Sequence, residues 1–415
     1  MSTSSQPRSF VRRFSGALAL LLVAISLIAP RASHAAGVIF VVPGGAGART
    51  GDDWANASDL HAALAAADSG TELWVKAGIY RAGVPDAAGT GMIKQPFDLK
   101  SGVALYGGFS GTETSRSQRN SAANETILSG DLLGNDAGAV DMGNPTRFDN
   151  AKVVRGTNVD STALIDGFII SGGSGNGNSP YGGGVDINQS SPTISHVTFR
   201  DNTAEYGGGL ALRSGSNPTL RFVHFYNNVA RNGGGMYIGS SSPTISQALF
   251  SGNATVSAGT SSYGSGIYTT GGSPTISHAT FWANTSLFNG GTVYAAQSGT
   301  PIIRNSIVWG NNNLQLAGNP ATVQSSLVQG GYAGSGNLSS DPLFVNAAGL
   351  DTIPGTWDDD LRLQPGSPAI DAGNTAFIPA DVTDADGDGD VTEPLPFDLD
   401  GNPRAVAAPD MGAYE

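Results

Sequence analysis

Five copies of one short block run from Tyr181 to Asn311, and that repetition constrains the fold more than any single motif. The copies include "YGGGVDINQSSPTISHVTFRDN" (Tyr181 to Asn202), "NGGGMYIGSSSPTISQALFSGN" (Asn232 to Asn253) and "YGSGIYTTGGSPTISHATFWAN" (Tyr263 to Asn284). The Phe of an F-x-x-N element stands at positions 199, 225, 250 and 281, with Val308 in the last copy, so the spacings are 26, 25, 31 and 27. Such a period belongs to a solenoid, whose units cannot bury their apolar faces alone and must stack. The triple glycine is therefore not a phosphate loop. A phosphate loop occurs once and opens a helix, whereas alternation typical of strands follows every copy here.

Inside each copy, short apolar alternations are punctuated by Gly, Pro, Ser and Asn, and no helical period of ten residues is present. Two or three short strands per coil, stacked at roughly 4.8 Å, predict an all-β, parallel β-helix solenoid. The crossover rule makes it right-handed. Ile194, Leu220, Ile245, Ile276 and Ile303 are expected to form one inward stack, and Phe199, Phe225, Phe250 and Phe281 another. Asn202, Asn228, Asn253, Asn284 and Asn311 fall at one turn, where their amides can join coil to coil. The glycines allow positive φ at a tight corner.

Four regions follow. Residues 1–35 carry a basic start, an apolar run and the small-residue end Ser33-His34-Ala35, which is the pattern of a secretory signal peptide rather than a permanent span. Residues 36–160 form an N-terminal cap and irregular first coils. In this region "SDLHAALAAADSG" predicts a short capping helix with Ser58 as N-cap, Leu60, Leu64 and Ala67 on one face, and Gly70 at its end. Residues 161–345 are the regular repeats, and residues 346–415 an acidic C-terminal cap. An exported chain with no Cys must rely on its stacked core instead of disulfides. Residues 351–415 hold 15 Asp or Glu against Arg362 and Arg404, and the chain carries only four Lys at a formal charge of −13. Nucleic acid and acidic membranes are thereby excluded as partners, because affinity for them comes from clustered cations.

The terminal blocks "DDWANASDLHAALAAADSGTELWVKAGIY" and "SPAIDAGN…DLDGNPR…PDMGAYE" resemble those of bacterial secreted β-helix proteins with the choice-of-anchor Q domain. The GGG and F-x-x-N repeats are similar to those of polymorphic outer-membrane proteins. The resemblance implies a right-handed, pectin-lyase-like β-helix exported to the cell surface or the medium. It implies no particular reaction.

Three constellations could carry chemistry. In "DADGDGDVTE", Asp384, Asp386, Asp388 and Asp390 alternate with small residues, and Glu393 stands near the place of a closing ligand. Alternating carboxylates of this kind suit calcium, here in a structural role; the bland alternative is a solvated acidic loop. Asp398 and Asp400 either join that site or pair with Arg404. The second constellation is aromatic. Tyr237, Tyr268 and Tyr294 hold one outward place in successive copies, and Trp282 and Trp309 hold another. Outward rings spaced by one coil can stack on the apolar faces of sugars, although strands favour Tyr and Trp in any case. The third is Arg200, His224 and Tyr226, outward on neighbouring coils, where a cation, a base and an acid could serve elimination on a uronic-acid polymer. Hydrolysis would want paired acids. Within the five copies from Tyr181 to Asn311 only Asp186, Asp201 and Glu205 are available, and they form no column. The leading expectation is thus a monomeric, extracellular or cell-surface scaffold that binds polysaccharide or a surface glycan. A polysaccharide lyase is the alternative.

Overall fold

The computed structural model describes residues 1–2, 37–86, 91–138, 140–141, 143–175, 179–256, 262–287, 290–312, 314–381, 390–404 and 407–415. The signal segment therefore lies almost wholly outside the described residues, as do Asp384, Asp386 and Asp388.

From Ser33 to Glu415 the chain forms one compact unit, wound as a parallel β-solenoid. A representative coil runs through the strands Thr193–Arg200, Thr203–Tyr206 and Leu210–Arg213. Each strand pairs in parallel with its copy in the next coil, at Thr219–Tyr226, Val229–Asn232 and Met236–Ile238. Three sheets of 14, 5 and 8 strands result, one for each flank of the coil. The register joins equivalent residues: Ile194 faces Leu220, then Ile245, Ile276 and Ile303. All five are fully buried. The four phenylalanines stack face to face at 4.4, 4.6 and 4.7 Å between ring centroids.

The motif glycines make room for that stack. The first of each triplet turns the corner in the left-handed region, with φ of 59, 69, 70 and 65° at Gly182, Gly207, Gly233 and Gly264, where a side chain would be strained. The third meets the phenylalanine. A Cβ on Gly209, Gly235 or Gly266 would come within 2.9 to 3.1 Å of the ring of Phe225, Phe250 or Phe281. GGG and F-x-x-N are one packing device.

The long strands contain a bend that the sequence reading did not anticipate. His196, Phe222, Gln247, His278 and Asn305 all have φ between 45 and 50° or just above, at 49, 52, 45, 50 and 46°. A left-handed residue costs a non-glycine roughly 1–2 kcal/mol, so the bend must be imposed by the stack. It shifts the alternation by one residue. Ile194 and Val197 both point inward although three positions apart, as do Ile245 and Ala248.

The capping helix spans Leu60–Ala66, and Leu60, Ala63 and Leu64 join the same core as Ile39 and Val41 of the first strand. Its N-cap is Asp59, not Ser58: the Asp59 carboxylate accepts the Ala62 amide at 2.9 Å. A carboxylate suits the partly positive N-terminus better than a hydroxyl. Ala67, not Gly70, is the C-cap.

The acidic C-terminal segment also departs from expectation. It lies along the flank of the coils rather than acting only as an end cap. Trp357 stacks on His224, and Gly355 meets Gly252. The Ala413 amide donates to Thr280 Oγ1, and Arg221 pairs with Asp381 at 2.8 Å with both side chains buried. Asp400 pairs with Arg362 and Asp398 accepts backbone amides, while Arg404 pairs with Glu415. The segment stays on the flank because outward side chains of four successive coils each find a partner in it.

Candidate functional site

The most developed surface flanks the triple-glycine corner. Strands Met236–Ile238, Ile267–Thr269 and Val293–Ala295 place Tyr237, Tyr268 and Tyr294 side by side in register, with ring centroids 5.8 and 5.9 Å apart. Three tyrosines that the sequence reading missed complete the strip. Tyr181, Tyr206 and Tyr263 stand just before the glycines, in a neighbouring column whose fourth member is Asn232. Where the first column has the smaller Asn232, the second has Tyr237. Where the second has Ala211 and Asp186, the first has Tyr206 and Tyr181. Tyr237 leans across the buried Ala211 to reach Tyr206 at 5.2 Å and Tyr181 at 5.7 Å, and Tyr263 stacks on Tyr294 at 4.3 Å. Six of the chain's 11 tyrosines thus form one half-buried strip over five coils, about 19 Å long by strand spacing. The signal was present in the sequence as the Tyr that precedes the glycines in three copies.

The strip consists of neutral phenols. Burial pushes the Tyr268 hydroxyl up to about 12, and Tyr237 is raised for the same reason while its hydroxyl meets Thr270 Oγ1 at 3.0 Å. Such rings offer an apolar face and a polar rim, the combination that suits a ligand with alternating C–H and O–H surfaces.

At the Tyr181 end the strip opens into a cleft of ≈ 460 Å³. Arg213 lies over the Tyr181 ring at 4.5 Å and forks onto Asp186 through two bonds of 3.0 Å. Lys152, buried, donates to Asp186 at 2.5 Å and to Ser179 at 2.7 Å, and burial lowers its pKa. Arg155 and Lys94 complete the lining.

The tryptophans are a correction. Trp282 and Trp309 do pair in register and point outward, but into the C-terminal segment. The Trp282 indole donates to Asp359 at 3.0 Å, and the ring meets Phe344 edge-on at 5.5 Å. Both rings, half-buried like the tyrosines, pack against the segment instead of standing in an open strip.

Arg200, His224 and Tyr226 share the outer face of adjacent strands, with Arg200 beside Tyr226 in the ladder. The structure gives them separate surroundings. His224 lies under Trp357 at 5.1 Å, and burial pushes it down to about 4, so it is neutral and weakly basic at pH 7. Tyr226 meets the same indole edge-on. Arg200 lies 4.0 Å from Asp201 and lines a polar cleft with Asp131, Asp136 and Arg147. Nearby, His196 Nδ1 faces both Asp166 at 3.2 Å and Ser195 Oγ at 3.0 Å. Carboxylate and hydroxyl share one ring nitrogen, so this is no nucleophilic triad.

Of the residues expected to hold calcium, only Asp390 and Glu393 are described. Asp390 accepts the amide and hydroxyl of Thr392 at 2.8 and 2.7 Å, which lowers its pKa. Among the described residues, no group of three or more His, Asp or Glu could hold a metal ion. No helix among them is long and apolar enough to cross a membrane.

The family model for a right handed beta helix region matches residues 158–308. The chain is a right-handed parallel β-helix. The crystal structure of pectate lyase Pel9A is similar over 93% of this chain and 98% of that one, with 13% identical residues and a TM-score of 0.44. No curated protein matches. The β-helix places its tyrosine strip and the tryptophans Trp282 and Trp309 on different flanks, a separation set by the corners between its sheets.

Proposed function

We propose that this β-helix is an extracellular scaffold that binds polysaccharide along its tyrosine strip. The observation that carries this function is the convergence of six half-buried rings from two columns into one uninterrupted surface. A β-sheet's ordinary preference for tyrosine accounts for each ring but not for the way the two columns interleave. Export is inferred from the signal-peptide pattern of residues 1–35. A lyase centred on Arg200, His224 and Tyr226 is disfavoured, because the histidine that would serve as base is covered and its pKa is depressed.

Replacing Tyr237 and Tyr268 by Ala is expected to weaken retention on the bound polymer about 10- to 100-fold, a loss of about 1.4 to 2.8 kcal/mol, with an unchanged circular dichroism spectrum. Affinity electrophoresis across a polysaccharide panel measures it. Unchanged retention would falsify the aromatic-strip function.

Calcium belongs to the same proposal, as a brace at residues 384–393 that stiffens the C-terminal segment. Adding calcium is expected to raise the melting temperature, and chelator to reverse the rise. A melting temperature indifferent to both removes the metal.

A further inference from the structure

We infer that the polysaccharide is anionic and that its carboxylate or sulfate groups are held in the cleft at the Tyr181 end of the strip; this rests on the tyrosine strip being the binding surface. The column that carries Tyr294, Tyr268 and Tyr237 continues in the same register through Ala211 and Asp186 to Arg155, so strip and cleft lie on one face.

Among the described residues, Lys94, Lys152, Arg155 and Arg213 line the cleft with one carboxylate, Asp186, while Asp98 pairs with Arg155 from outside the lining. These four cations outnumber the two carboxylates by two, in a chain whose net charge is −13 and which has only four lysines in all.

The geometry is also prepared for an anion. Asp186 is buried, and it holds Lys152 and Arg213 together on one carboxylate. An ammonium has three donors, and Lys152 uses two of them, on Asp186 and Ser179. Arg155 is half-exposed and is held in place by two bonds of 2.7 and 2.8 Å to the exposed Asp98. An arriving carboxylate or sulfate can take the outer edge of these cations without breaking the inner network, which suits bidentate recognition by guanidinium. Arg213 belongs to both parts, since its guanidinium caps the Tyr181 ring. A sugar ring packed against the outer edge of Tyr181 would therefore present its acidic substituent to the cleft.

The test uses affinity electrophoresis with polygalacturonate and alginate (carboxylated), dextran sulfate (sulfated) and dextran (neutral), each at low and high salt. The parent chain is expected to be retained by an anionic polymer and only weakly by dextran, with retention falling as salt rises. The variant K94Q/R155Q removes two solvent-facing cations and leaves the buried Lys152–Asp186–Arg213 group intact. It is expected to lose about tenfold in affinity for the anionic polymer and nothing for dextran, a loss of about 1.4 kcal/mol. Retention by polygalacturonate or alginate alone assigns the carboxylate, and retention by dextran sulfate alone the sulfate. Equal, salt-independent retention of dextran and the polyanions overturns the inference, as does a K94Q/R155Q variant that binds like the parent. If the Tyr237→Ala, Tyr268→Ala variant keeps its retention, the strip fails as the binding surface; if only K94Q/R155Q keeps it, the anionic cleft fails and the strip stands. Absence of binding to every polymer overturns both.

Discussion

Asn253→Ala is expected to destabilise the solenoid by about 4 kcal/mol, from two buried backbone groups left unpaired at about 1–3 kcal/mol each and further side-chain bonds lost. Asn253 is fully buried at the turn after the phenylalanine. Its amide nitrogen donates to Phe225 O of the preceding coil at 2.8 Å and to Asn284 Oδ1 of the next at 2.9 Å. Its Oδ1 accepts the Asn228 amide at 3.1 Å and the Asn228 side chain at 3.0 Å. Alanine keeps the backbone and removes all four bonds. The Asn228 N–H and the Phe225 carbonyl then lose these partners within a buried turn. Because each coil touches only its neighbours, the effect should appear as local opening around coils 225–284 before global unfolding. Hydrogen exchange at those coils and the urea midpoint measure it. Asn217→Ala is the comparison: Asn217 is exposed and accepts one bond from Ser242, so a loss of under about 1 kcal/mol is expected. Equal effects at the two positions would remove the ladder as the main turn stabiliser.

Arg221→Ala is expected to loosen the C-terminal segment at a cost of about 3 kcal/mol or more, the usual result of removing one partner of a buried ion pair. Arg221 projects from the strand Thr219–Tyr226, and its guanidinium meets the fully buried Asp381 at 2.8 Å. Alanine leaves that carboxylate in the interior without the guanidinium. The relief open to it is to carry the segment outward, which uncovers His224 and Tyr226. Limited proteolysis should then clip the segment faster, while the stacked coils keep their far-ultraviolet spectrum. The double variant Arg221→Met, Asp381→Leu replaces the pair with apolar contacts and is expected to recover most of the loss. Parent-like proteolysis of Arg221→Ala would show that Trp282, Trp309 and Trp357 hold the segment without the ion pair.

The tyrosine strip was half legible. Tyr237, Tyr268 and Tyr294 recur at one position of the repeat, so periodicity places them on one face. Tyr181, Tyr206 and Tyr263 recur just as regularly, but the glycines between the two columns disguise how near they come, and only the corner brings the columns together. The cleft was not legible. Lys94, Lys152 and Arg213 come from an early insertion, an irregular coil and a regular one, and no local pattern joins them. The tryptophans show the opposite failure. Their outward register was right, yet outward did not mean free, because Phe344 and Asp359, far along the chain, engage Trp282 and the same apolar cluster takes in Trp309.

The sequence by itself determined the coil. A repeated block must satisfy the same contacts each time it stacks, so Ile under Ile, Phe under Phe and Asn under Asn follow from spacing alone. It did not determine the left-handed bend at His196, Phe222, Gln247 and His278, where the residue types have little in common and the preceding coil imposes the conformation. Nor did it determine which outward faces stay open. Stacking is a nearest-neighbour matter between copies and can be read as a pattern. The lie of the C-terminal segment depends on single, unrepeated contacts such as Arg221–Asp381 and Trp282–Asp359, and only the tertiary structure brings those partners together.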